Sequence, residues 1–435
     1  MRRTLFICVW VTLFTLEAAP AAETLEYVAI MSRHGVRSPL WTEAQQNSFS
    51  TRPWPNFGVP IGYITPRGRT LMEYMGDYYR EYFTQAKLLP ASGCGVADKF
   101  YFWSDVDQRD VETGRALASR MFRGCTVPVY RVPEGESDPL FKHVKPGVAK
   151  LDPTAAAKAI SERIAGPPEA LITRFRPQLE ALQKILFGCE VGKTCDAQKI
   201  AGKRLLVDPP FGVEPRPGGL ADLMGPLRSA SEITDMFLLE YTEGMKMADV
   251  GWGQVDKAKL LDLMKLYQGY VDLTLQTPYL ARAGGSNLMS HILKSLEQAA
   301  GGAAVAGSLG KPGDKGLVIL GHDSNESQMG GLLGIHWEPQ GYMADVRPPG
   351  SAMIFELWKD SASGKYSVRS WFVTQTLDQM RDSVPLSLKT PPIRVPLMIP
   401  GCGGASCAWD LFRTTVAADI TQVFVSNEPI PAIAR

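Results

Sequence analysis

The sequence predicts an α/β fold interrupted by a mostly helical insertion. Short apolar runs of buried-strand character, at Tyr27–Met31, Phe100–Trp103 and Gly316–Leu320, each lead straight into a polar cluster. Between about residues 150 and 275 the apolar spacing is helical and strand signals are few. With 45% hydrophobic and 21% charged residues, the 435-residue chain has the composition of an ordinary globular protein and the length for a sizeable core. Disordered and fibrous classes are thereby set aside. Lys and Arg number 46 against 45 Asp and Glu, so a general nucleic-acid binder, which carries a large basic excess, is excluded too.

In chain order, Arg2-Arg3, an apolar stretch from Leu5 to Leu16 and the small residues Ala19-Pro20-Ala21 have the three-part layout of a secretory signal peptide cut after Ala21. Beyond it no apolar run reaches membrane-spanning length. Removing residues 1–21 takes away Arg2, Arg3 and Glu17 and leaves 44 basic and 44 acidic residues, so any anion site must be a local island of positive charge. A periplasmic or secreted protein is expected, and the cysteines agree. Cys8 falls in the signal; of the remaining six, Cys189 with Cys195 and Cys402 with Cys407 form close couples, with Cys94 and Cys125 as a third. Six cysteines allow fifteen connectivities, which stay open. A zinc site is the weaker reading, since no CxxC pair and no HExxH helix is present.

The strand Tyr27–Met31 leads into Arg33-His34-Gly35-Val36-Arg37-Ser38-Pro39. A helix is predicted from Thr65-Pro66 towards Phe83, with Thr65 as N-cap and Pro66 in the first turn. The strand Phe100–Trp103 ends at Asp105-Val106-Asp107-Gln108-Arg109, and a helix is predicted over Val111–Phe122. Within 150–275, helices are predicted at Ala155–Ile164, Pro177–Phe187, Ser229–Tyr241 and Lys257–Leu275, split by the Pro/Gly-rich segment Asp208–Gly219. A helix near Leu288–Ala299 then precedes the strand Gly316–Leu320, which meets Gly321-His322-Asp323-Ser324-Asn325; further strands are predicted at Met353–Trp358 and Tyr366–Thr374. The α/β domain is thus expected in two parts, 22–149 and 276–435, around a helical insertion at 150–275.

Three strand ends carry polar clusters, and in an open α/β sheet ligands bind outside the carboxyl ends of the strands. Brought together, the clusters supply two histidines, a carboxylic acid and three arginines. Arginines match phosphate oxygens bidentately, and three around one point repel one another unless a dianion lies between them. Histidine can act as a covalent nucleophile, and Asp323 could protonate a leaving alkoxide. The combination describes metal-free phosphomonoester hydrolysis through a phosphohistidine.

Arg33-His34-Gly35-Val36-Arg37-Ser38-Pro39 together with Gly321-His322-Asp323-Ser324-Asn325 resembles the histidine acid phosphatase family, in its bacterial phytase and glucose-1-phosphatase branch. The likeness extends through Thr65-Pro66-Arg67-Gly68, Asp138-Pro139-Leu140-Phe141 and Gly251-Trp252-Gly253. It implies His34 as nucleophile, Asp323 as proton donor, and Arg33, Arg37, Arg109 and His322 as phosphate ligands. It also implies an acid optimum, no cofactor and no metal, and a monomer acting on a small phosphomonoester with no nucleic-acid or membrane partner. The implied fold is a three-layer α/β/α domain with a mixed central sheet, plus a smaller helical domain covering the cleft. The three cysteine couples match family positions. A further long-range disulfide of the phytase relatives has no counterpart.

The departures bear on substrate. Phytases of this branch usually have a Lys where Trp41 stands, a Glu that commonly faces substrate is replaced by Asp235, and Ser324 follows the sugar-phosphate branch. Loss of one cation weakens binding of inositol hexakisphosphate by about 1–2 kcal/mol in a partly solvated site. Trp41 and Asp235 are accordingly the expected specificity residues. His143, His291 and His336 have no motif around them and are expected at the surface or in packing; Gly330-Gly331 is expected to allow close helix packing. Two other classes are weighed against the phosphatase: an exported protein that binds phosphorylated ligands without hydrolysing them, which gains nothing from a nucleophilic His beside a His-Asp pair, and a metal-dependent hydrolase.

Overall fold

The computed structural model describes residues 23–141, 151–207, 210–216 and 220–434; the expected signal peptide and His143 lie outside them. In chain order the elements are β1 (Glu23–Arg33), α1 (Glu43–Asn47), α2 (Pro66–Gln85), β2 (Phe100–Ser104), α3 (Gln108–Met121), β3 (Val129–Arg131), α4 (Pro153–Ile164) and α5 (Pro168–Phe187). There follow β4 (Gly212–Pro215), β5 (Ala221–Met224), α6 (Pro226–Thr242), α7 (Lys257–Thr274), α8 (Pro278–Gly301), β6 (Gly316–Gly321) and α9 (Asp323–Leu333). The chain closes with β7 (Ala352–Asp360), β8 (Tyr366–Thr374), α10 (Leu377–Asp382), β9 (Ile393–Pro396), β10 (Ser406–Ala408), α11 (Trp409–Asp419) and β11 (Ile433–Ala434). Among the described residues no helix is long and apolar enough to cross a membrane.

One mixed sheet runs in the order β10-β8-β7-β1-β6-β2-β3-β11, with β9 on β8. Its centre is parallel, β1 and β2 flanking β6, and β7 adds an antiparallel half. Successive side chains of a strand point to opposite faces. Val28 and Ile30 accordingly join a core with Met75 and Phe83 of α2 and Leu117 of α3, while Tyr27, Ala29 and Met31 join one with Leu288 and Ile292 of α8 and Phe412 of α11. Helices therefore cover both faces of a mixed sheet, the three-layer arrangement expected. A third cluster is built mainly from α4, α5, α6 and α7 and takes in Val36 and Leu71. Three disulfides are present: Cys94–Cys125, Cys189–Cys195 and Cys402–Cys407.

Sequence patterning misplaced some boundaries. Pro177 does not start α5 but lies inside it; Leu171, Phe175, Leu179, Leu182 and Leu186 bury a continuous stripe, which outweighs the cost of about 3 kcal/mol for an interior proline. The helix α3 begins at Gln108, so Arg109 sits in its first turn and not in a loop. The Pro/Gly-rich stretch leads into a hairpin, β4 pairing antiparallel with β5. Gly68 of α2 is required by close packing, because a Cβ there would meet the Val36 carbonyl oxygen at 2.0 Å.

Glu240 of α6 is 1% exposed and accepts the Gly251 N–H at 2.8 Å. Burial, with Asp249 adding to it, pushes its carboxyl up to about 8. The folded state therefore keeps a proton that the unfolded chain releases above about pH 4.5, and stability falls as pH rises through that window. Glu240→Gln keeps the acceptor and removes the titration. It should gain about 1–3 kcal/mol over the wild type at pH 8 and little at pH 4.5. Thermal unfolding at both pH values checks this, and an equal gain at both would refute it.

Candidate active site

The register of the parallel strands brings three distant segments level. Arg33, the last residue of β1, lies opposite Gly321 of β6, and Ser104, the last residue of β2, lies opposite Leu320. The residues that follow these ends come together: the His34 and His322 rings are neighbours, Asp323 lies beside Arg33 and Asp105 beside His322. His34 leaves β1 with its N–H donated to the Gly321 carbonyl at 2.9 Å and its own carbonyl accepting the Gly350 N–H at 2.9 Å. Gly35 N–H donates to the Thr113 hydroxyl of α3 at 3.0 Å. The backbone that carries the imidazole is thus held from three sides.

The His34 ring is 2% exposed, with Nδ1 2.9 Å from the Gly35 carbonyl. A carbonyl only accepts, so Nδ1 carries the hydrogen and Nε2 of the neutral ring keeps its lone pair. Burial, then Arg109, Arg33, Arg37 and His322, hold the proton affinity of His34 well below the ordinary value. The neutral ring, with its lone pair on Nε2, is therefore favoured further into acid than in a free histidine.

Around it Arg33 donates through Nη1 to the Arg347 carbonyl and through Nη2 to Asp235 Oδ1 at 3.2 Å, while Arg37 Nη2 donates to Asp235 Oδ2 at 3.1 Å. One carboxylate of α6 thus bridges two buried arginines. Arg109 pairs with Asp107 at 2.6 Å. The His322 and His34 ring centroids are 5.7 Å apart, and His322 Nε2 lies 2.8 Å from Asp105 Oδ2. Burial opposes charge on His322, but Asp110 when ionised, together with the hydrogen bond and charge of Asp105, outweighs it and raises its pKa. Asp323 opens α9 directly after His322, which is the N-cap. It accepts the Tyr267 hydroxyl of α7 and lies 3.7 Å from Arg33. Burial would push its carboxyl up; Arg33, Tyr267, Arg347 and Arg37 together hold it well below the usual carboxylate range.

Among the described residues one trio, Asp105, Asp107 and His322, has ligand-type atoms close enough for a cation. A protonated imidazole offers no lone pair, and the raised pKa of His322 favours that form, so the trio is better described as an ion-pair network. The pocket as a whole joins a neutral nucleophile, a nest of fixed cations and a carboxyl. That set can accept a tetrahedral dianion, attack it and protonate what leaves.

Residues 24–183 and 224–373 match the sequence profile of the Histidine phosphatase superfamily (branch 2). The chain belongs to this branch of the superfamily. It is similar to Phytase AppA of Escherichia coli (strain K12), 31% identical over 394 residues and 87% of each chain. It is also similar to the Glucose-1-phosphatase of Providencia rettgeri, 26% identical over 440 residues, covering 97% of this chain and 99% of the relative. Among solved structures, the Citrobacter braakii phytase matches with a TM-score of 0.85 at 30% identity, and Hafnia alvei phytase in complex with tartrate with 0.82 at 33%; each match covers 94% of this chain and 100% of the other. Hydrolysis of phosphoric monoesters is the chemistry of this histidine phosphatase.

Arg33, His34, Arg37, Arg109, His322 and Asp323 lie near one another. Asp235 lies deeper in the phosphatase than a substrate-facing role implied, being 6% exposed and paired with Arg33 and Arg37. Trp41 stacks on Phe49 at 5.3 Å and lines a cavity of about 230 Å³ with Gln45, Arg204, Arg228 and Glu232. Sequence patterning gave no sign of Tyr267, Arg347, Thr113 or Glu232. His291 is buried, with Nδ1 2.5 Å from the Gly307 carbonyl, and His336 is exposed, 2.7 Å from Asp345.

Asp235→Asn removes the charge that offsets Arg33 and Arg37, at a cost of about 3 kcal/mol to the unliganded fold. Bound inorganic phosphate restores an anion there. The phosphate-induced rise in melting temperature should therefore be larger in the variant than in the wild type, and an equal rise would show that Asp235 is no counterion.

Proposed function

We propose that this phosphatase works through a covalent phosphohistidine on His34, with Arg33, Arg37, Arg109 and His322 holding the phosphate and Asp323 as proton donor. The observation that carries the reading is the buried His34 ring, neutral and with Nδ1 tied to a carbonyl, among three arginines. His34 Nε2 attacks phosphorus in line, the ester P–O bond breaks, and the leaving alkoxide takes the Asp323 proton. Asp323, now a carboxylate, accepts a proton from water. That water attacks phosphorus, the P–N bond breaks, and phosphate leaves with His34 neutral again. The guanidiniums and the His322 imidazolium supply the charge stabilisation for which other phosphatases use metal ions.

The depressed proton affinity of Asp323 belongs to the unliganded pocket. A bound phosphate offsets the arginines that depress it, so Asp323 gains affinity for a proton when substrate arrives. The helices of 150–275 are read as a cap that brings Asp235 and Tyr267 to the cleft. The three disulfides and the N-terminal residues support export to an oxidising compartment. His34→Ala should abolish turnover. Asp323→Asn should slow hydrolysis of alkyl phosphates at least tenfold more than that of p-nitrophenyl phosphate, whose leaving group barely needs a proton; equal losses on both would remove Asp323 as the acid.

For the alcohol, the cavity beside Trp41 supports a lightly charged group. Of its two arginines, Arg228 is paired with Asp222 at 3.0 Å and Arg204 lies over the Phe49 ring at 4.5 Å. Burial and the neighbouring Asp235 push the Glu232 carboxyl up to about 7, so it adds no cation for further phosphates and adds a negative charge above neutrality. Glucose 1-phosphate should be hydrolysed with a higher kcat/KM than inositol hexakisphosphate, and the reverse order in side-by-side kinetics would overturn this preference.

A further inference from the structure

The turn from β2 into α3 carries three acids. Asp105 is bonded to His322 and Asp107 to Arg109. Asp110, in the first turn of α3, is different: it is 0% exposed and neither oxygen has a hydrogen-bond partner. The cationic groups that face it are Arg109 Nε, 3.7 Å from Oδ2, and His322 Nδ1, 3.8 Å from Oδ1. The carboxyl thus faces two of the phosphate ligands, just beyond bonding distance of each.

We propose that Asp110 is a positioning residue of the phosphate pocket, which leaves Arg109 and the His322 Nδ1–H to the substrate while it is neutral and draws both away once it is ionised, so setting the alkaline limit of phosphate binding. The inference rests on the reading that Arg109 and His322 hold phosphate. His322 Nε2 is engaged by Asp105, so Nδ1–H is the one donor the ring has left, and Asp110 is the acceptor that competes for it. Around Asp110, α3 contributes Asp107 and Arg109, the end of β2 contributes Asp105 and the N-cap of α9 contributes His322. Burial, with Asp105 and Asp107 adding to it, pushes the Asp110 carboxyl up to about 7 against the opposing pull of His322 and Arg109. In acid the group is neutral; above neutrality it adds a negative charge beside the phosphate site and an acceptor for the two donors.

The test is direct binding of inorganic phosphate by calorimetry at pH 5.5 and pH 8 to the wild type, Asp110→Asn and Asp110→Thr. Phosphate titrates in that window for all three proteins, so the quantity read is the ratio of dissociation constants, pH 8 over pH 5.5, in each. That ratio should be about tenfold larger in the wild type than in either variant, and the alkaline limb of kcat/KM should move to higher pH in both. Equal ratios in the three proteins, or a loss of affinity in the variants that is the same at both pH values, would overturn the proposal and leave Asp110 a packing residue. The underlying reading fails separately, if turnover survives His34→Ala.

Discussion

The chemistry of this pocket depends on an imidazole buried among cations. Each guanidinium near His34 raises the cost of a second proton on the ring, and burial raises it further, because a charged ring loses its hydration there. The neutral ring must then place its one hydrogen, and the Gly35 carbonyl fixes it on Nδ1. Nothing in the identity of residue 34 provides this; a histidine at the end of any strand titrates near neutrality. The nucleophile is made by its neighbours, and its neighbours can be that close only because the parallel strands end level.

Three arginines cannot be held together without anions, and the fold supplies them from elsewhere in the chain. Asp235 comes from α6 and bridges Arg33 and Arg37; Asp323 comes from the first turn of α9; Asp107 takes Arg109. The arginines are therefore already compensated and held in place by acids of the chain itself, so a substrate phosphate meets an ordered set of donors instead of assembling one. Preorganisation of this kind is where enzymes gain most of their electrostatic advantage. It also explains why the helices of the insertion matter to the chemistry: without α6 and α7, Arg33 would lose Asp235 and Asp323 would lose Tyr267.

What could be read from the sequence follows the range of the interaction. The strands beneath Arg33, Asp105 and His322 show as apolar runs because a buried strand must be apolar on both faces. The motif residues stand out because Arg and His are rare at such positions. Tyr267 and Arg347 do not stand out, and Asp235 does so only through the family resemblance, as a residue facing substrate and not as the counterion of two arginines. Each sits in a segment whose spacing reports only its own helix or loop, and its partner lies tens to hundreds of residues away. Arg33 and Arg37 have no acid in the chain between Glu26 and Glu43, and the acid that neutralises both is on another element about two hundred positions on. Pro177 shows the converse error: a strong local signal for a helix start is overridden by the apolar stripe of α5, visible only once the third core is assembled.

Asp323 presents the sharpest tension between architecture and reaction. A proton donor in an acid phosphatase needs a proton, yet Arg33, Arg347, Arg37 and the Tyr267 hydroxyl all favour its carboxylate. The same arginines are the ones a phosphate dianion would occupy. On the proposed reading, binding removes the cause of the depression as well as delivering the substrate, and Asp323 becomes an acid only when there is an ester to cleave. In the second half of the proposed reaction the leaving group has gone and the phosphoryl group is on His34, and the carboxylate form is the one that reading requires, as a base toward water. Arginines that favour the carboxylate then assist the step that the empty pocket, read alone, would suggest they oppose. A donor with an ordinary, substrate-independent pKa would serve only one of the two half-reactions well, which is a physical reason for placing the acid of this dyad against the phosphate ligands instead of in an apolar wall.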